Sequence, residues 1–228
     1  ATARRPGPGD SAGCTARAAV SGAGPAASRA GLACSSPAMA GPLAPRRAAR
    51  HLPPMITRTH VKGDAPSVAV YSDCERYRYK LTRDWAGGKR VLFVMLNPST
   101  ATEVQNDPSV ERCERRARTL GYGAFRVCNI FAWRETDPKL MRAVPEPVGP
   151  ENDAAILDGC AWADTIVCAW GAHGAHMGRG RAVERLMRAT GRPLHHLGLT
   201  KDGHPRHPLY IGYAVQPVPW QETVAPTG

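Results

Sequence analysis

Three continuous apolar runs of strand length constrain this chain most: Arg90 to Leu96, Phe125 to Phe131 and Thr165 to Trp170. A strand with one face in water alternates polar and apolar residues, so a run without alternation is covered on both faces. Each run is followed by a loop and then by a helix signal. Asp107-Pro108 supplies an N-cap and a first-turn proline for a helix reaching about Leu120, closed by Gly121. Asp137-Pro138 repeats that start for a short helix, and Gly149-Pro150-Glu151-Asn152-Asp153 leads into another over Asp153 to Ala163. A further helix is expected over Ala182 to Ala189, and Leu194 to Leu197 reads as a fourth strand. Val68 to Tyr71 and Tyr77 to Leu81 read as a hairpin or edge pair. This order predicts an α/β fold, a three-layer α/β/α arrangement with a central, mostly parallel four-stranded sheet. In such a sheet ligands bind outside the carboxyl ends of the strands.

The alternation begins only after Met55. Residues 1–54 hold seven Arg against one acid, Asp10, together with 16 Ala, 8 Pro, 7 Gly and no aromatic residue, too little side chain to bury. A disordered tail is expected there, followed by a single domain over 55–228. The composition fits upstream sequence carried in frame before a start at Met55; a transit peptide and a basic nucleic-acid-binding arm are the alternatives. Of the net +11 of the whole chain, +6 sits in this tail and +5 remains for the rest. A basic excess favours nucleic acid, nucleotides or an anionic membrane surface. No apolar run approaches the roughly 20 residues needed to cross a bilayer. Seven cysteines, an odd number without a CxxC pair, argue for free thiols in a reducing compartment, hence a cytoplasmic protein. Cys128 and Cys168 lie in apolar runs, where free cysteine serves as a small core residue. No metal, no cofactor and a monomeric state are expected.

Four segments follow the apolar runs or lie between them and the C-terminus. Asn97-Pro98-Ser99-Thr100 ends the first run, and an Asn held by a following Pro can present a fixed amide to a water or polar ligand; a plain turn is the simpler reading. Asn129 is a polar amide in an apolar run, with the donor and acceptor that a base edge requires, or that neighbouring backbone would use. Trp170-Gly171-Ala172-His173 leads to Gly178-Arg179-Gly180-Arg181, where glycines and two arginines could meet a phosphate; His173 and His176 could approach each other. Gly203-His204-Pro205-Arg206-His207-Pro208-Leu209-Tyr210 carries two His-Pro steps that stiffen the backbone around two imidazoles, with Lys201 and Arg206 adding positive charge.

Taken in order, Leu96 to Thr100, Asn106-Asp107-Pro108, Cys128 to Ala132, Pro147 to Asp153, Trp170-Gly171 and Lys201 to Tyr210 closely resemble a bacterial and phage family known as domain of unknown function 1643, over about Tyr77 to Tyr213. More distantly, the same order resembles the uracil-DNA glycosylase superfamily. In that resemblance Asn97-Pro98 is similar to a water-positioning motif, Asn129 to a reader of the pyrimidine edge, and Trp170-Gly171 with His173 to a strand-end motif. The His-Pro loop that contacts the base and the backbone matches His207-Pro208-Leu209 or His204-Pro205. No aromatic residue follows Asn97 before Gly121 to stack on an extruded base, and Asn97 cannot ionise.

The resemblance implies a nucleobase-recognising protein that hydrolyses the N-glycosidic bond of a modified or mismatched base in DNA. Asn97 would place the water and His207 would stabilise charge on the departing base. Asn129 would pair with its edge, while Pro98, Ser99, Trp170, Gly171, His173, His204 and Leu209 would line the substrate. Arg179, Arg181, Arg206 and Lys201 would hold phosphates. The alternatives are a non-catalytic nucleic-acid-binding module and an enzyme acting on free nucleotides.

Overall fold

A computed structural model describes residues 54–221 of the chain. The tail expected over residues 1–54 lies, Pro54 apart, outside the described residues. Strands β1 (Met55–Lys62), β2 (Ala65–Ser72), β3 (Arg78–Asp84) and β4 (Arg90–Met95) come first. Helix α1 (Pro108–Thr119), β5 (Ala124–Asn129), α2 (Pro138–Ala143) and α3 (Asn152–Trp162) follow. The chain continues through β6 (Thr165–Cys168), α4 (Arg179–Arg188), β7 (Leu194–His196) and β8 (Val218–Pro219).

These strands form one eight-stranded sheet in the order β1-β2-β3-β5-β4-β6-β7-β8. The three strands read from apolar runs, β4, β5 and β6, and the fourth expected strand, β7, pair in parallel at its centre. The expected four-stranded sheet is nonetheless too small. β1, β2 and β3 extend one side and β8 the other, all antiparallel, so that four of the seven pairings are antiparallel. β1 escapes a periodicity reading because Thr57, Arg58, Thr59 and His60 are exposed; backbone pairing with β2 holds this edge strand, with little side-chain burial. Gly63, at φ +63°, makes the two-residue turn between them.

Helices cover both faces. Along β4, Val91, Phe93 and Met95 face Val110, Cys113 and Ala117 of α1, whereas Leu92 and Val94 face Ile156 and Cys160 of α3 and Val183 and Met187 of α4. The helix starts obey their signals: the Asp107 carboxylate accepts the N–H groups of Ser109 and Val110, at 2.9 and 2.8 Å, and that of Asp137 accepts the N–H of Lys139 at 2.7 Å. Cys113, Cys128, Cys160 and Cys168 are free and buried, and burial pushes their thiols up, Cys128 to about 12 and Cys160 to about 11. They remain protonated core residues. Among the described residues, no helix is long and apolar enough to cross a membrane.

Candidate functional site

The parallel strands all end on one edge of the sheet, and a cleft of about 560 Å³ opens there. Asn97 and Ser99 enter it from the exit of β4, and Trp170, Gly171 and His173 from the exit of β6; His207 and Leu209 come from the His-Pro loop after β7. Segments more than a hundred residues apart in sequence therefore meet, as the strand-end rule requires.

The His-Pro loop is seated on Gly171. The N–H of Gly171 donates to the carbonyl of Pro205 at 2.7 Å, and a Cβ on this residue would lie 3.7 Å from the Cβ of His207. Gly171 also sits at φ +70°, where a side chain is strained; this backbone angle, rather than the space beside His207, calls for glycine. Nδ1 of His207 accepts the N–H of Leu209 at 3.4 Å. Accepting there requires the neutral ring to carry its proton on Nε2. Burial pushes the imidazole down to about 4, with the Asp107 charge opposing the shift. At neutral pH His207 is thus an uncharged hydrogen-bond donor.

Asn97 is oriented from the other wall. Its Nδ2 donates to the carbonyl of Glu135 at 2.6 Å and to that of Pro98 at 3.1 Å, while the N–H of Glu135 donates to the Pro98 carbonyl at 2.9 Å. This reciprocal clamp leaves the amide oxygen of Asn97 as an acceptor without a protein partner among the described residues. Ser99 joins the same clamp through Thr136, with 3.2 Å between their hydroxyl oxygens.

Asn129 ends β5, but it is not in the cleft lining. It is 1% exposed, and neither end of its side-chain amide has a partner among the described residues. Its backbone carbonyl is held at 3.0 Å by Nδ2 of Asn152. His204 lies apart from His207, in a tight loop closed by Thr200, and lines a separate small recess with Arg181, Gly180 and Trp220. The structure therefore separates the two histidines that the sequence spacing could not. Arg206 flanks His207 in an adjoining hollow, and Lys201 is exposed in the Thr200–His204 loop.

Arg179 is buried, with Nε donating to the Ile130 carbonyl at 2.7 Å and Nη2 bonded to the Asp153 carboxylate, so its donors fasten the exit of β5. The glycines around it serve packing. A Cβ on Gly174 would come within 2.1 Å of Cδ1 of Trp170, and one on Gly180 within 2.9 Å of its Nε1.

The walls also contain residues that sequence reasoning missed as site members: Asp107, Glu135, Thr136 and Tyr210. Asp107 reads in sequence as a helix cap, which it is, yet its buried carboxylate also borders the cleft. Glu135 follows the exit of β5, between the Cys128 to Ala132 motif and the Asp137-Pro138 helix start, and has no role of its own in the sequence reading. Its Oε1 accepts the N–H groups of Thr136 and Asp137, at 2.8 and 3.3 Å. Tyr210 is 89% exposed and puts an aromatic residue on the rim of the cleft.

Residues 78–209 match the model of a family described as a protein of unknown function (DUF1643). No curated protein and no solved structure matches the chain.

Proposed function

We propose that this chain, which belongs to the family of unknown function DUF1643, recognises a nucleobase in the strand-end cleft and hydrolyses its N-glycosidic bond in DNA, on a glycosylase-like α/β/α scaffold. The observation that carries the reading is His207: a half-buried, uncharged imidazole whose Nδ1 is occupied by the Leu209 N–H, leaving Nε2–H as the donor beside the cleft. A departing base carries growing negative charge, and one preorganised donor aimed at such charge commonly contributes about 2.7–4 kcal/mol.

The other groups divide the remaining work. The amide oxygen of Asn97, fixed by the clamp on Glu135, accepts a hydrogen bond from the attacking water. The Glu135 carboxylate takes that water's proton, a task an amide cannot perform. The oxygen of the water bonds to the sugar carbon as the carbon–nitrogen bond breaks, and the electron pair leaves with the base. Tyr210 offers the ring on which the extruded base stacks. Asn129 reads the base edge only once the exit of β5 opens, since it is buried outside the cleft lining; its orphaned donor and acceptor, which cost about 1–3 kcal/mol each while unpaired, favour that opening. Arg206, exposed beside His207, suits a phosphate better than Arg179, which is buried with Nε and Nη2 occupied.

The rival reading, a nucleic-acid-binding module without catalysis, draws on the absence of Asn129 from the cleft lining. It predicts salt-dependent binding with no base release. The two are separated by incubating the protein with oligonucleotides containing uracil, hydroxymethyluracil, hypoxanthine or mismatches and scoring abasic sites. We expect release of at least one base, with Glu135→Gln and Asn97→Ala lowering the rate about 100-fold or more while oligonucleotide affinity changes little, in line with the loss of a positioned acid–base group. If no base is released from any substrate, the hydrolytic reading is wrong.

A further inference from the structure

We infer that the cleft is the middle of a trough for an extended single strand of nucleic acid, and that Arg76, Trp133 and Arg134 form a subsite for a flanking nucleotide. This rests on the reading of the cleft as a nucleobase site and adds the form of the substrate.

Two further hollows abut the cleft. One, of about 680 Å³, shares Ser99, Glu135 and Thr136 with it and adds Arg76, Trp133 and Arg134. The other, of about 370 Å³, shares Gly171, Ala172, His207 and Tyr210 and adds Arg206. The three hollows follow one another along the sheet edge, with the cleft between two outer hollows that each carry arginine. A single nucleotide needs only one of them.

The Arg76–Trp133 hollow is a constructed surface. β3 runs antiparallel to β5, so the start of β3 reaches the edge where β5 ends. There the N–H of Arg134 donates to the carbonyl of Arg76 at 2.9 Å, and Trp133 bridges to Tyr77, whose ring meets the indole edge-on at 5.4 Å. The Arg76 guanidinium lies 5.9 Å from the centre of the Trp133 ring. Arg134 lies over the ring of Tyr71, donates to the Glu75 carbonyl at 3.2 Å, and keeps a buried Nε without a partner among the described residues. Two acids share the hollow, and each is compensated locally. Glu75 is paired with Arg58, and Oε1 of Glu135 is occupied by two backbone N–H groups. What remains is an indole and an exposed guanidinium, which match the two parts of a nucleotide, a π-face and a phosphate. A duplex stacks its bases on one another and has no free face for Trp133. A single strand does.

The test measures binding of the full chain, by fluorescence anisotropy, to labelled deoxy- and ribo-decamers as single strands and to the matching DNA duplex. The mononucleotide is measured by competition. We expect one of the single strands to bind at least about tenfold tighter than the mononucleotide and tighter than the duplex, the gain of roughly one stacked base and its phosphate. Arg76→Glu and Trp133→Leu should each weaken decamer binding at least fivefold, by the loss of a phosphate or stacking contact, and leave mononucleotide affinity within about twofold. Thermal melting of both variants checks that they fold, and Arg76, being exposed, keeps the test informative if Trp133→Leu does not. Equal affinity for decamer and mononucleotide, a preference for duplex, or unchanged decamer binding by folded Arg76→Glu overturns the inference and leaves the base site standing. If neither decamer nor mononucleotide binds, both readings fall.

Discussion

Above about pH 5 the His207 imidazole is uncharged in the folded protein, and this ties the site to stability. Its folded value of about 4 lies below the ordinary value near 6.5, so between the two the unfolded chain takes up a proton that the folded chain refuses. Stability is therefore full above pH 6.5 and falls as the pH drops toward 4. Urea unfolding at pH 7 and pH 4.5 should show His207→Gln losing less stability than the parent on acidification, by roughly 2–3 kcal/mol. His196, also held low by burial, acts in the same direction but is present in both proteins and cancels in the comparison. Asn97 and His207 were legible in sequence because each follows an apolar run or sits before a proline. Glu135 was not, since nothing local marks a carboxylate whose backbone is held by an amide 38 residues away.

Trp170 organises the element level. It ends the third apolar run, is 2% exposed, packs against Trp220 at 5.6 Å, and takes up the space left by Gly174 and Gly180. Gly174→Ala would force the indole or the backbone to move, and overpacking of this kind costs about 1–3 kcal/mol. Gly212→Ala, which meets nothing within 4 Å and has no positive φ, is the control and should change stability by less than about 0.5 kcal/mol. The measurement is thermal or urea unfolding, read alongside tryptophan fluorescence. Equal effects of the two substitutions would contradict this account of the glycines. In sequence those glycines resembled a phosphate loop, because a glycine that admits a ring and one that admits an anion look alike until the ring is placed. The central strands were legible from continuous burial; β1, with mostly exposed side chains, left no such trace.

At the scale of the molecule, charge has two uses. Arg78, Arg83, Arg116 and Arg179 are buried, and each fastens backbone around the site edge. Arg116 donates to the carbonyls of Ile211, Gly212, Tyr213 and Val215, just after the His-Pro loop, and Arg83 to those of Thr102 and Glu103 and to the side chain of Asn106, just before α1. Arg78 holds the carbonyl of Ala101. Part of the basic excess thus stiffens the loops of the cleft and is unavailable to a ligand, a division that a net charge of +11 cannot express. Exposed arginines at the two outer hollows, Arg76 and Arg206, remain for an anionic strand. The central claim is that this edge of the sheet takes a nucleobase, and the most direct measurement is a backbone-amide NMR titration of the chain with a uracil-containing single-stranded decamer. Shift changes should concentrate at residues 97–100, 133–136, 170–173 and 206–210, and His207→Ala should diminish those at 170–173. Changes confined to the β1 edge or to the Thr200–His204 loop, with the cleft residues unmoved, would contradict the claim.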